Sequence, residues 1–451
     1  MAPTVTLDSQ QIRKLIARGS PLKAKLQPVL FLILINITLC KPNSEEGSRV
    51  SVQELFPGEK WALPMENLGP LDGSPGITAR DCGTCHSDHY SEWSQSTHAH
   101  ALSDLQFQSE LSKPSSPQWL CLNCHIPAGN QRKEIVRMVE NGDLLRPVAE
   151  PNPAFDPEMR KEGVSCATCH LKEQDGKTVV IGPLGTGRAP HPVVVNREAL
   201  QNRCLDCHNV NYKVSSSLVC FFNTGNELAE SDLSHKACSD CHMPEIQRKI
   251  VQLSGDYADR VSHMHFFVGG GIPKEFALMD AQEKGGYRSG LGLKLLDYTW
   301  NPETKTFRFS VEMRNLNIGH YLPTGDPERF IKIRLKIFAP GNEVEKTYRI
   351  GQHWQWEPEA KQIQDNRLRS GEVRVWQESV SPGARPNRIR LEAVHIRLSE
   401  KNARYMEQSS QRVPEQYRSK IARLREHYPM QRLLHSEDIL IPFSGQTPIQ
   451  D

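Results

Sequence analysis

The sequence of 451 residues lacks a strong net charge and, apart from one segment near its start, lacks long hydrophobic runs. Its 55 Lys and Arg residues balance 53 Asp and Glu residues, and no basic stripe with interleaved aromatic residues is present, so nucleic acid is not an expected partner. No stretch reaches the length of a conventional transmembrane helix. The 37% hydrophobic and 24% charged residues are typical of a globular chain with room for two or three domains.

Cysteine, in contrast, is concentrated in a repeated motif. Ten of the 12 cysteines form five Cys-x-x-Cys pairs, and a histidine follows each pair directly. This is the attachment signature of c-type haem. The motifs are Cys82, Cys85 and His86; Cys121, Cys124 and His125; Cys166, Cys169 and His170; Cys204, Cys207 and His208; and Cys238, Cys241 and His242.

The spacing explains the chemistry of the motif. Two thiols separated by two residues can both reach the vinyl groups of one porphyrin, and the adjacent histidine then lies under the iron as its proximal ligand. Zinc sites also use Cys-x-x-Cys pairs, but five is an odd number of pairs and the constant histidine has no role in a Cys₄ site. A thioredoxin-like redox pair would need a βαβ context, which is missing. We therefore expect five covalently attached haems c.

The N-terminal segment predicts export. Residues 28–39 form an apolar run of signal-peptide length, and five basic residues precede it. The run ends at Cys40, where a lipoprotein signal would carry its lipid, although Leu39 is bulkier than the small residue usual before that site. An ordinary cleaved signal and an uncleaved anchor are the alternatives. Since haem is attached to this motif outside the bacterial cytoplasm, all three predict a periplasmic or other extracytoplasmic protein, and a membrane tether is left open.

The pattern along the chain predicts an α+β fold with five parts. Residues 1–40 are a signal, 41–76 a linker, and 77–298 a helical and loop domain in which the five haems form the core. Residues 299–400 are expected to be a small antiparallel β-sandwich, because apolar and polar residues alternate along 307–314 and 331–337. A change of phase after Ala393 indicates a bulge. Residues 401–451 are a helical tail, with a helix at 414–428.

Each iron has a second face, which electron-transfer haems usually fill with another histidine. Sequence position singles out several candidates among the 12 histidines outside the motifs. They are His98 and His100 in a helix-compatible stretch, His191 in a Pro/Gly loop, His235 before the last motif, His263 and His265 before three glycines, and His320 at the end of a strand.

Residues around the motifs resemble a known family. The chain from Cys82 through Trp93 to Ser-Thr-His98-Ala-x-Ala, then Gly163-Val-Ser-Cys166 and Arg203-Cys204, resembles the cytochrome c-554 type multihaem family over about residues 80–245. The resemblance implies that His98 is a distal ligand. The chain departs from the simple tetrahaem pattern in its fifth motif and its β region, and these parts resemble larger multihaem relatives. That resemblance implies distal roles for His265 and His320.

Three functions are open from the sequence. The first is an electron carrier between redox protein partners, favoured because enough histidines exist to fill all five irons. The second is an oxidoreductase that acts on a small nitrogen or sulfur compound at an iron with an open position, since catalysis needs such a position and conduction does not. The third is a β-domain assembly module that carries the haems. The physiological partners and the oligomeric state are left open.

Overall fold

A computed structural model describes residues 48–185, 188–216, 218–253 and 257–442. The predicted signal at 1–40, with Cys40, lies outside these residues. Helices in the described chain are short, and most lie in its first 285 residues. They are α1 Val52–Leu55, α2 Ala79–Gly83, α3 Ser87–Ser94, α4 Leu105–Leu111, α5 Gln118–His125, α6 Pro157–Arg160, α7 Cys166–His170, α8 Arg197–Arg203, α9 Leu205–His208, α10 Thr224–Ala229, α11 Cys238–His242, α12 Met279–Lys284, α13 Glu400–Gln408, α14 Glu415–Ala422 and α15 Leu424–His427.

Short strands connect the helices of the segment that carries the motifs. They are β1 Arg49–Ser51, β2 Glu134–Glu140, β3 Pro147–Pro151, β4 Leu171–Gln174, β5 Lys177–Gly182, β6 Val193–Val195, β7 Asn209–Ser215, β8 Leu218–Asn223, β9 Glu245–Arg248 and β10 Arg260–His263. They form two three-stranded sheets, β1-β2-β3 and β4-β5-β6, and two hairpins, β7-β8 and β9-β10. The prediction of helices and loops alone for this segment is therefore wrong.

Longer strands build the C-terminal half. They are β11 Leu291–Asn301, β12 Thr306–Asn315, β13 Phe330–Ala339, β14 Asn342–Gln355, β15 Lys361–Asp365, β16 Val373–Val380, β17 Arg388–Ile396 and β18 Gln431–Leu440. A three-stranded sheet has the order β11-β12-β16, and a five-stranded sheet has the order β15-β14-β13-β17-β18. Both sheets contribute to one hydrophobic cluster. The mixed α and β fold and the C-terminal β region predicted from the sequence are confirmed.

The alternation in the sequence places the core of the β region correctly. The apolar positions of β12 and β13, from Phe307 to Met313 and from Ile331 to Ile337, are at most 2% exposed. The expected bulge is also present, because the pairing of β17 with β18 shifts register between Ala393 and Val394.

Three predicted boundaries need correction. Residues 48–76 are not a surface linker, since Val52, Phe56 and Trp61 are buried in a cluster with Trp119 and Leu120. The β region begins with β11, before the expected boundary at 299. The C-terminal tail is helical only in part, because it returns as β18 along the edge of the five-stranded sheet.

Conventional apolar clusters exist beside the motifs. One joins Leu68, Leu71 and Met159 to Ala167 and Leu171, which belong to or directly follow the third motif. The described residues belong to one compact unit, so the motif segment and the β region are not separated by a linker. Within the described ranges, no helix has the length and apolar character needed to cross a membrane.

Candidate haem-binding site

Each motif forms a single helical turn. The second to fifth motif histidines are the last residues of α5, α7, α9 and α11. In the first motif, the amide of His86 donates to the carbonyl of Cys82 at 2.9 Å, which closes the same turn. Residues three and four apart lie on one face of a helix, so two thiols and one imidazole point to the same side. None of the ten motif cysteines forms a disulfide, and Cys241 is the one exposed member of the set.

Hydrogen bonds prepare four of the motif histidines for metal binding. In each, Nδ1 lies within hydrogen-bonding distance of a backbone carbonyl, which can only accept, so Nδ1 carries the proton and Nε2 is free to bind. The bonds run from His86 to Ile250 (2.8 Å), from His125 to Ala101 (2.8 Å), from His170 to Ile181 (3.0 Å) and from His242 to Val268 (2.6 Å). The thiols, the shared face and the free Nε2 atoms all fit covalently attached haem.

Three predicted distal histidines lie opposite a motif histidine. A bond between a metal and an imidazole nitrogen is about 2 Å, so two imidazoles on opposite sides of one ion have ring centroids about 6 Å apart. The observed centroid distances are 6.2 Å for His98 and His208, 6.2 Å for His265 and His170, and 6.1 Å for His320 and His242. The Nδ1 atoms of His265 and His320 also donate to backbone carbonyls.

The electrostatics favour neutral rings, the form in which histidine binds metal. Burial lowers the pKa of His98 to about 3 and that of His208 to about 4, and it also lowers the pKa of His320. Burial likewise lowers the pKa of His191, and the charge on His86 lowers it further.

The remaining candidates do not share this arrangement. His235 is exposed. His100 uses Nε2 to contact the carbonyl of Ser94. His263 donates from Nδ1 to the carbonyl of Met243, as the paired histidines do, but within the described residues its ring is not paired with that of a motif histidine. His125 is stacked face to face on Phe107, with ring centroids 3.4 Å apart. Among the described residues, no histidine ring is paired with that of His125.

The motif cysteines show which turns are neighbours. Three pairs of cysteines from different motifs lie within hydrogen-bonding reach of each other. They join the first and third motifs, the second and fourth, and the fourth and fifth, through Cys82 and Cys166, Cys124 and Cys207, and Cys204 and Cys238. The third and fourth are connected through α7, which packs against α8, the helix that leads directly into the fourth motif. The five turns are therefore contiguous, and the fourth is central.

Comparison with known proteins agrees with this site. Residues 81–171, which contain the first three motifs, match the family model of cytochrome c554 and c-prime. The resemblance to the cytochrome c-554 type family is thereby confirmed for this segment. No curated protein matches the chain.

A solved structure shares the fold. A penta-heme cytochrome c552 from Thermochromatium tepidum is 19% identical in sequence and superposes with a TM-score of 0.53. The match covers 81% of this chain and 99% of that chain. It therefore extends well beyond the segment that matches the family model.

Sequence reasoning missed the buried charges around the distal histidines. Glu92 and Arg248 form one buried ion pair, and Glu227 and Arg367 form another. It also missed His395, a buried histidine whose Nδ1 donates to the carbonyl of Gly270 and whose Nε2 has no partner among the described residues. Single charged residues and a lone histidine in a strand give no pattern, so no sequence signal was available for them.

Proposed function

We propose that the protein transfers electrons through five covalently attached haems c, in the periplasm or at the cell surface, between redox protein partners. The observation that carries the proposal is the spacing of about 6 Å between three motif histidines and three distal candidates, which suits one metal ion per pair. The signal-like residues before Cys40 support the location.

Bound haem supplies a one-electron iron couple whose potential depends on its ligands and on its burial. The chain supplies everything else. The cysteines would hold the cofactors in place, the carbonyls that accept from Nδ1 orient the imidazoles, and the distal candidates would offer a second histidine at three of the motifs. An iron with a ligand on both faces suits electron transfer, because electron transfer requires haems that lie close together and does not require an open position on the iron.

The contacts between the attachment turns suggest a path for the electrons. The first motif adjoins the third, the third adjoins the fourth, and the fourth adjoins both the second and the fifth. Haems attached to these turns form a continuous series with no isolated member. The exposed Cys241 makes the fifth attachment turn a suitable place for exchange with a partner.

Low-temperature EPR of the oxidised protein tests the ligand pairs. We expect low-spin signals from bis-histidine haems in the wild type, and we expect His320→Ala to convert one of them to high spin and to make that haem reactive toward cyanide. The matched control is His353→Ala, which changes a half-buried histidine of β14 away from the motifs. An unchanged spectrum in a folded, fully loaded His320→Ala protein contradicts the pairing of His320 with His242.

One observation favours a second candidate function, an oxidoreductase acting on a small nitrogen or sulfur compound at an open iron. The second motif is its site, because His125 has no paired histidine ring in the described chain. Burial lowers the pKa of His125 to about 4, and the buried Lys274 and Asp104 also act on it. A high-spin signal in the wild type that disappears on addition of nitric oxide or cyanide supports this function, and its absence excludes it.

A further inference from the structure

The first of the two buried ion pairs lies beside His265. Glu92, on α3, is 9% exposed, and its carboxylate accepts from both terminal nitrogens of Arg248 at 2.5 and 3.0 Å. The same carboxylate accepts the backbone amide of His265 at 2.8 Å. Arg248 also donates to the carbonyl of His263 at 3.0 Å, and this carbonyl accepts Nδ1 of the His265 ring at 2.8 Å. The ion pair thus contacts both the backbone and the ring acceptor of His265.

The second ion pair has the same relation to His320. Glu227, on α10, is 1% exposed, and its carboxylate accepts from Arg367 at 2.7 Å. Its other oxygen accepts the backbone amide of Tyr321 at 3.2 Å and the hydroxyl of Thr324 at 2.6 Å. The carbonyl of Tyr321 accepts Nδ1 of the His320 ring at 3.0 Å. The Glu227 carboxylate therefore holds Tyr321 through its backbone amide, and the carbonyl of Tyr321 orients the imidazole of His320.

Because both ion pairs are buried, a role in stability alone is a poor explanation for their presence. Removing two charges from water costs several kcal/mol per ion, so a buried ion pair often contributes no more to stability than apolar residues of similar size. The geometry does fix the position of two backbone segments. Each of these segments places a distal imidazole beside a motif that is distant in sequence. Groups that orient a ligand in this way typically change its affinity for metal by about 10- to 100-fold.

We propose that Glu92 and Glu227, each with its arginine, are positioning residues that hold His265 and His320 at the second face of the third and fifth haems. The inference rests on the proposed function, since it requires these histidines to be ligands. In this proposal, α3 and α10 of the motif segment fix the position of ligands that lie later in the chain.

Glu92→Gln and Glu227→Gln test the proposal, because glutamine keeps the shape but has one acceptor oxygen where the carboxylate has two. We expect each variant to perturb one low-spin EPR signal, to make one haem about 10- to 100-fold more readily bound by cyanide, and to regain the original signal with added imidazole. Ile337→Val is the control, since Ile337 belongs to the β core and its side chain takes no part in either hydrogen-bond network. Should a variant fail to accumulate, Arg248→Lys and Thr324→Val each weaken one network without removing its carboxylate, and they must give the same changes in weaker form.

The outcomes separate the inference from the function beneath it. If the glutamine variants lower only the melting temperature, as Ile337→Val does, and leave spectrum and cyanide binding unchanged, the pairs are merely structural and the inference is wrong. If His265→Ala and His320→Ala themselves leave the spectrum unchanged, the ligand assignment fails first. Spectral change in all four variants, with none in the control, supports both.

Discussion

A backbone carbonyl at Nδ1 is a residue-scale feature that several of the candidate ligands share. Seventeen histidines are present, and their identity alone says little about which of them bind iron. A carbonyl at Nδ1 fixes the tautomer and leaves Nε2 available, and this arrangement recurs at His86, His170 and His242. The accepting carbonyls come from Ile250, from Ile181 and from Val268, so tertiary structure determines which histidines are prepared.

Glu162 is a second residue whose properties depend on its surroundings. Its carboxylate accepts the amide of Ala79 at the start of α2, the helix that leads into the first motif. Burial nevertheless raises its pKa to about 7. The folded protein therefore keeps a proton that the unfolded chain has lost, and the free energy of unfolding falls as the pH rises from about 4.5 to about 7.

Glu162→Gln should remove this pH dependence, because glutamine does not titrate and its oxygen can still accept from Ala79. The quantity to compare is the melting temperature of the variant minus that of the wild type. We expect this difference to be a few degrees larger at about pH 8 than at about pH 5, which corresponds to about 1–2 kcal/mol in the free energy of unfolding. Taking the difference cancels the titration of groups common to both proteins. A difference that does not vary with pH contradicts the raised pKa.

At the scale of elements, sequence pattern predicts local structure and fails for long-range partners. The period of two placed β12 and β13 correctly, and the phase change in β17 located a real bulge, because both depend on neighbouring residues. The strand β18 was missed since its residues alternate weakly and its place at the sheet edge depends on β17. The pairs of Glu92 with Arg248 and of Glu227 with Arg367 span 156 and 140 residues, and no local rule connects them.

The short helix α7 shows how much one attachment turn matters. Ala167, between its two cysteines, is completely buried against Met159 and Leu171, and Cys166 contacts Cys82 of the first motif. Deleting the haem from this turn leaves space between two motifs that small side chains cannot fill, and cavities of this kind are costly.

Cys166→Ala combined with Cys169→Ala should therefore prevent stable accumulation, with the yield of folded protein falling about tenfold or more. Immunoblotting with haem staining measures the yield. Cys220→Ala is the control, because Cys220 lies on β8 outside every motif, and we expect it to accumulate normally. A double variant that folds with four haems and an unaltered melting profile speaks against this account of the third motif.

At the scale of the whole molecule, the motif segment and the β region act on the same sites. The β region supplies His320 to the fifth motif, and α10 of the motif segment holds the loop that carries it through Glu227. The shared fold with a penta-heme cytochrome covers most of this chain, so the β region belongs to that architecture. The motifs, their histidines and His320 as a distal candidate could be predicted from the sequence, whereas the ion pair of Glu227 and Arg367 that holds its loop could not.

The number of haems is the most direct test of the account. The pyridine haemochrome assay on fully matured protein, combined with independent protein quantitation, measures covalently bound haem per chain. Five intact motifs on five similar helical turns predict five haems c per chain. A value of four or fewer in protein that has completed maturation contradicts the central claim.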